Sequence, residues 1–100
     1  MLNIDKKEEN GKLTIKLEGR LDTTTAPMLE ECIKESIDNI NALEIDFTGL
    51  EYISSAGLRV LLTSQKTMNK KGEMTVLHPS DTIMEIFEVT GFMDILNIVQ

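Results

Sequence analysis

Hydrophobic and polar residues alternate with a period of two at the start of the chain. Leu2 and Ile4 stand among polar neighbours, and Leu13, Ile15 and Leu17 alternate with Thr14, Lys16 and Glu18. Between the two runs lies Asn10-Gly11, a pair that accepts positive φ in a tight turn, so the pattern predicts an antiparallel hairpin over about 2–8 and 12–18 with Gly19 ending it. The period then lengthens. Leu29, Cys32, Ile33, Ile37 and Ile40 recur at spacings of three and four, which predicts a helix from about Thr24 to Asn39. Thr24 or Thr25 is placed to cap it, Pro27 falls in the first turn, and Glu30 and Glu31 suit the positive helix end. Cys32 on that stripe reads as a small core residue.

Alternation returns over Ala42–Phe47, with Leu43, Ile45 and Phe47 on one side, and Thr48-Gly49 breaks it. The apolar pair Tyr52-Ile53 leads through Ser54-Ser55-Ala56-Gly57 into a second helix reaching about Lys71, with Leu58, Leu61, Leu62 and Met68 inward. Lys70 and Lys71 suit its negative end, and Gly72 is expected to stop it in the left-handed conformation. A strand follows over Met74–Leu77, then the break His78-Pro79. Ser80 or Asp81 caps a third helix, which carries Ile83, Ile86 and Phe87 and ends at Gly91. Phe92–Val99 suggests one more helical turn and a short final strand. The order β-β-α-β-α-β-α joins a hairpin to strand–helix–strand crossovers, which are usually parallel and right-handed. The expected fold is therefore α/β: one domain over 1–100, a mixed four- to five-stranded sheet, and helices mainly on one face. Leu29, Ile33, Ile37, Leu43, Ile45, Phe47, Leu61, Leu62, Ile83 and Phe87 are expected to form the core.

Composition narrows the function. Seventeen Asp plus Glu against ten Lys plus Arg give a net charge of −7, which opposes binding to phosphate backbones or anionic membranes. Aromatic residues make up 4% with no Trp, leaving no platform for stacking bases. Nucleic acid is not an expected partner, nor is direct membrane insertion. The single Cys and single His provide neither a disulfide nor a metal site, so no metal and no cofactor are expected. The charged stretch Asp5–Glu9 is unlike a signal peptide, and a cytoplasmic protein is expected.

Catalytic patterns are missing as well. Ser55 has Ile53 where a nucleophile elbow needs its first glycine, and His78 stands at the start of a later helix rather than in a triad pattern. Neither the phosphate loop nor the dinucleotide fingerprint occurs, and no enzyme activity is expected. What remains is the serine pair at the second helix. One of the two serves as its N-cap in the plain structural reading, and a helix N-terminus also tolerates a phosphate dianion. Asp46 and Glu51 are charges expected around the same loop.

The run Ile45–Leu62, centred on Ser54-Ser55-Ala56-Gly57-Leu58-Arg59, resembles the signature of STAS domains, and in particular their anti-sigma factor antagonist (anti-anti-sigma factor) branch. Gly19-Arg20-Leu21-Asp22-Thr23 is similar to the family's turn after the second strand. Thr90-Gly91-Phe92 with Ile95-Leu96 resembles its C-terminal segment. The resemblance implies a non-catalytic bacterial regulator of transcription that works by partner switching. The unphosphorylated antagonist holds an anti-sigma factor of serine-kinase type and frees a sigma factor. Phosphorylation releases the kinase, and a PP2C-type phosphatase resets the protein. The family's acceptor, two positions before the glycine, corresponds to Ser55. Ser54 stands where these antagonists usually carry Asp, which makes Ser54 the second candidate. Arg20, Asp22, Thr23, Ser54, Ser55, Ala56, Gly57 and Arg59 are the expected partner-binding residues. The alternative within the family is an accessory subunit of an ABC lipid transporter or of a larger sensory complex.

Overall fold

The hairpin sets one edge of the sheet. In a computed structural model covering residues 1–100, β1 (Leu2–Glu9) and β2 (Lys12–Leu21) run antiparallel. Asn10 at φ 53° and Gly11 at φ 80° supply the two positive angles of the turn. The chain continues as α1 (Ala26–Lys34), a 3-10 turn at Ile37–Asn39, β3 (Ala42–Ile53), α2 (Ser55–Met68), β4 (Glu73–Leu77), α3 (Asp81–Thr90), a second 3-10 turn at Phe92–Asp94 and β5 (Ile98–Val99). The sheet order is β1-β2-β3-β4-β5, with every pair after the hairpin parallel. Three parallel crossovers step in the same direction across the sheet, and crossovers of one common hand, as the right-handed rule requires, carry their helices to the same face.

The strands carry that asymmetry in their side chains. Leu13, Ile15 and Leu17 are fully buried, while the alternating Lys12, Lys16 and Glu18 are exposed on the uncovered face and Thr14 is half-buried there. The covered face holds the core, where Phe47 lies 6.1 Å from Phe87, and Phe87 lies 6.4 Å from Phe92. Eight of the ten expected core residues are buried; Ile37 and Leu62 are half-buried instead. Ile37 falls in the 3-10 turn after α1 has ended, and Leu62 follows the inward Leu61 on a helix that can point only one of them at the sheet.

Several element boundaries differ from the periodicity. β2 carries on past Gly19 to Leu21, because Gly19 pairs with Leu2 on one side and Leu50 on the other. β3 crosses Thr48-Gly49 in the same way, and shifts in the β2–β3 register absorb the break. α1 starts later and stops earlier than the periodicity predicts, and even so Glu30 and Glu31 lie past its first turn. α2 ends at Met68, ahead of Lys70 and Lys71, and Lys71 Nζ donates to the Ile37 carbonyl. Gly72 is not left-handed. It is glycine because a Cβ there would overlap the backbone carbonyl of Asn41, whose oxygen accepts from Glu73 N–H at 3.1 Å. At α3 the expectation holds: the Ser80 hydroxyl accepts from Ile83 N–H, and Gly91 closes the helix at φ 81°.

Candidate functional site

The carboxyl ends of β2 and β3 bring two sequence-distant loops together. Leu21 and Ile53 are cross-strand partners, and Ser54 N–H donates to the Leu21 carbonyl at 2.8 Å. α2 begins at the next residue. Its packing is close: Gly57 is buried, and a Cβ on it would lie 2.8 Å from Leu21 Cγ and 2.9 Å from Ile53 Cγ1. That contact needs a residue without a side chain, and it presses the first turn of α2 onto the strand ends.

The two serines have different surroundings. Ser54 is half-buried in extended backbone (φ −95°, ψ 175°), and its Oγ accepts from Gly57 N–H at 3.4 Å as the N-cap of α2. Ser55 is the first helical residue; it is exposed, and its hydroxyl joins no hydrogen bond within the protein. One serine builds the helix start and its neighbour stands free upon it.

Asp22 organises the facing loop. Its Oδ1 accepts from the Thr24 hydroxyl at 2.7 Å, from Thr24 N–H at 3.0 Å and from Thr25 N–H at 3.1 Å. The Thr24 hydroxyl bond holds the Asp22 carboxyl below its ordinary pKa, against a smaller opposing effect of desolvation. Thr25 occupies the N-cap position of α1 without a side-chain cap bond; its hydroxyl accepts from Asp22 N–H and donates to the Arg20 carbonyl. Asp22 is thus committed to its own loop.

Thr23, Ala56 and Arg59 line one groove of about 140 Å³ between α1 and α2, together with Glu30 and Val60. A second hollow of about 120 Å³ shares Glu30 and Val60 and continues between the same helices past Ile33 and Ser64. Arg20 sits over the Tyr52 ring at 4.4 Å, its cross-strand partner. Leu21 and Ile53, next to them, face the core, so this pair points to the uncovered side. Asp46 is remote from the serines. It lies on the uncovered face opposite Lys16, and its carboxyl accepts from the Thr48 hydroxyl at 2.6 Å. Desolvation raises its pKa, but the Thr48 hydrogen bonds, with help from His78 and Lys16, bring it below the ordinary value.

Sequence reasoning missed Glu30 and Val60 as groove residues and the Arg20–Tyr52 stack. The stack depends on β2 and β3 both running past their apparent breaks. Other chemistry is sparse. The largest concavity, about 410 Å³, is an open dip among Lys7, Glu9, Asn10, Lys12 and Thr14 with no hydrophobic residue in its lining. No three His, Cys, Asp or Glu side chains gather as metal ligands. Cys32 is half-buried rather than buried, and desolvation pushes its thiol up, away from the reactive thiolate. No helix is long and apolar enough to cross a membrane.

Comparison with known proteins bears on this geometry. The profile of the STAS domain family matches residues 3–100. An anti-sigma-B factor antagonist of Staphylococcus aureus is 29% identical over 97% of this chain and 92% of its own length. The protein of the same name from Bacillus subtilis is 26% identical over 97% and 90%. Among solved structures, an anti-sigma factor antagonist from Mycobacterium paratuberculosis shares the fold with a TM-score of 0.87 at 23% identity, covering 98% of this chain and 85% of its own. The antagonist SpoIIAA in its unphosphorylated form gives 0.77 at 17% identity, covering 100% and 88%. The family profile spans nearly the whole chain, and the solved neighbours share its fold, so the chain belongs to the STAS domain family, among relatives named anti-sigma factor antagonists.

Proposed function

We propose that this protein is an anti-sigma factor antagonist switched by phosphorylation of Ser55. In its unmodified form it holds an anti-sigma factor of serine-kinase type, and so releases a sigma factor in the cytoplasm. The observation that carries this reading is the division of labour between the serines. Ser54 is occupied as the cap, whereas Ser55 presents an exposed, unbonded hydroxyl beside the α1–α2 groove. In the kinase, the Ser55 oxygen would form a bond to the γ-phosphorus of ATP as the bond to ADP breaks and the hydroxyl proton leaves. A PP2C-type phosphatase would hydrolyse the ester and restore the serine. The protein is a binding module in this scheme, and the partner supplies the chemistry.

The phosphate adds about −1.5 to −2 charges to the binding surface. It need not alter the fold. SpoIIAA has been solved in both unphosphorylated and phosphorylated forms, and the two match this chain with TM-scores of 0.77 and 0.78. Thr23, Ala56 and Arg59 in the groove, Gly57 beneath it and Ser54-Ser55 at its end form the proposed contact surface, with Arg20 and Asp22 at its border. A buried dianion facing the partner loses contact area and solvation. The phosphate is therefore expected to weaken kinase binding by roughly 30- to 1000-fold. Ser55→Asp is expected to bind poorly while staying folded, and Ser55→Ala to bind persistently. Calorimetric titration of both variants against the kinase, with thermal melts as the folding control, tests this. A folded Ser55→Asp protein that binds as tightly as the wild type rules the switch out.

A further inference from the structure

Ser55 and Arg59 stand four residues apart on α2, one helical turn from each other. Helical side chains lean toward the N-terminus of their helix. Arg59 follows that rule, lining the groove that also takes in Ala56 and Thr23. An anionic residue one turn ahead of a cationic one is the favourable orientation of such a pair. Arg59 is also unengaged: it is exposed, and the three ion pairs of the structure use Lys6, Lys7 and Lys12. No other cation occurs between Ser54 and Gln65. The remaining charges around this end are carboxylates: Glu30 across the groove on α1, Asp22 in the facing loop and Glu51 on β3. Arg20 is stacked over Tyr52 toward the uncovered face.

We infer that Arg59 is the intramolecular counter-ion of phosphorylated Ser55. The inference rests on Ser55 being the modified residue. In the unmodified protein Arg59 is a free cation in the groove. Once Ser55 carries phosphate, the guanidinium closes back over it with charge-assisted hydrogen bonds. Modification then changes the surface twice, adding a dianion and withdrawing the cation that the groove had offered. Arg59 acts as a positioning residue, fixing the phosphate on the first turn of α2.

The test installs phosphoserine at position 55 during translation, so that no kinase is needed, and follows the phosphate by phosphorus NMR from pH 4.5 to 8. The second phosphate ionisation, near pH 6 when unperturbed, is expected to lie about 0.15–0.4 pH units lower in the wild-type sequence than in Arg59→Gln. Arg59→Lys is expected to keep most of that difference, and added salt to shrink it. The helix N-terminus is common to all three proteins and cancels. Superimposable titrations of wild type and Arg59→Gln overturn the inference. The two readings fail separately. A kinase that modifies Ser55 in a protein whose titration ignores Arg59 removes the counter-ion and keeps the switch. A titration that responds to Arg59 in a protein that no kinase modifies does the reverse.

Discussion

The two ends of the sheet are built with the same devices and put to different uses. At the amino end of the parallel strands, the hairpin turn, Asn41 and Gly72 lock together. Gly11 carbonyl accepts from Asn41 N–H at 2.8 Å, Asn41 carbonyl accepts from Glu73 N–H, and a Cβ on Gly72 would strike the Asn41 backbone. At the carboxyl end, Leu21 carbonyl accepts from Ser54 N–H, and Gly57 brings α2 down onto Leu21 and Ile53. Both ends use a backbone bridge and a glycine at a close approach. The carboxyl end adds Ser55 beside the groove residues Thr23 and Arg59, all exposed and with side chains that make no hydrogen bond within the protein. The lock is complete at one end, and at the other it serves as a platform.

That contrast can be broken at its strongest points. Gly72→Ala meets backbone and is expected to cost roughly 3 kcal/mol or more, whereas Gly57→Ala meets two side chains able to yield and is expected to cost about 1–3 kcal/mol. Urea denaturation checks both, and equal losses would erase the distinction between the ends. Ser54→Ala removes the cap of α2 and is expected to cost about 1 kcal/mol while leaving phosphorylation intact. A melt that does not move would show that the long Ser54–Gly57 bond contributes nothing. The smallest effect concerns Asp22. Its folded pKa is lowered, so the stabilisation it gives is present above its unfolded value near about pH 3.9 and lost as pH falls through the lower folded value. Asp22→Asn is therefore expected to flatten the acid limb of the stability curve below about pH 4. Parallel curves for the two proteins would mean that the Thr24 and Thr25 bonds do not distinguish the ionised carboxyl.

Much of this architecture is legible in the residues. Strict alternation located β1, β2 and the first half of β3. Asn10-Gly11 marked the turn, and the Ser80 cap and Gly91 bounded α3. What the pattern hides is set by long-range pairing. Gly19 and Thr48-Gly49 look like strand ends because local propensity disfavours them, yet pairing across the sheet carries both strands through. The α1 boundary has a local cause instead, because Asp22 organises the preceding turn and delays the helix to Ala26. Gly72 looked like a helix stop, and only the approach of Asn41 shows its purpose. At the candidate site, the serine pair was visible in the residues. Which serine caps the helix was not, since both stand at the strand-to-helix junction and only the backbone angle of Ser54 separates them.

The central claim is that Ser55, and not its capping neighbour, is the free acceptor. The direct measurement is incubation with ATP and the kinase-type anti-sigma factor of the same cell, followed by fragmentation mass spectrometry of wild type, Ser54→Ala and Ser55→Ala. Stoichiometric phosphate on Ser55 is expected in the wild type and in Ser54→Ala, with none on Ser55→Ala. Phosphate mapped to Ser54, or retained in Ser55→Ala, would contradict it.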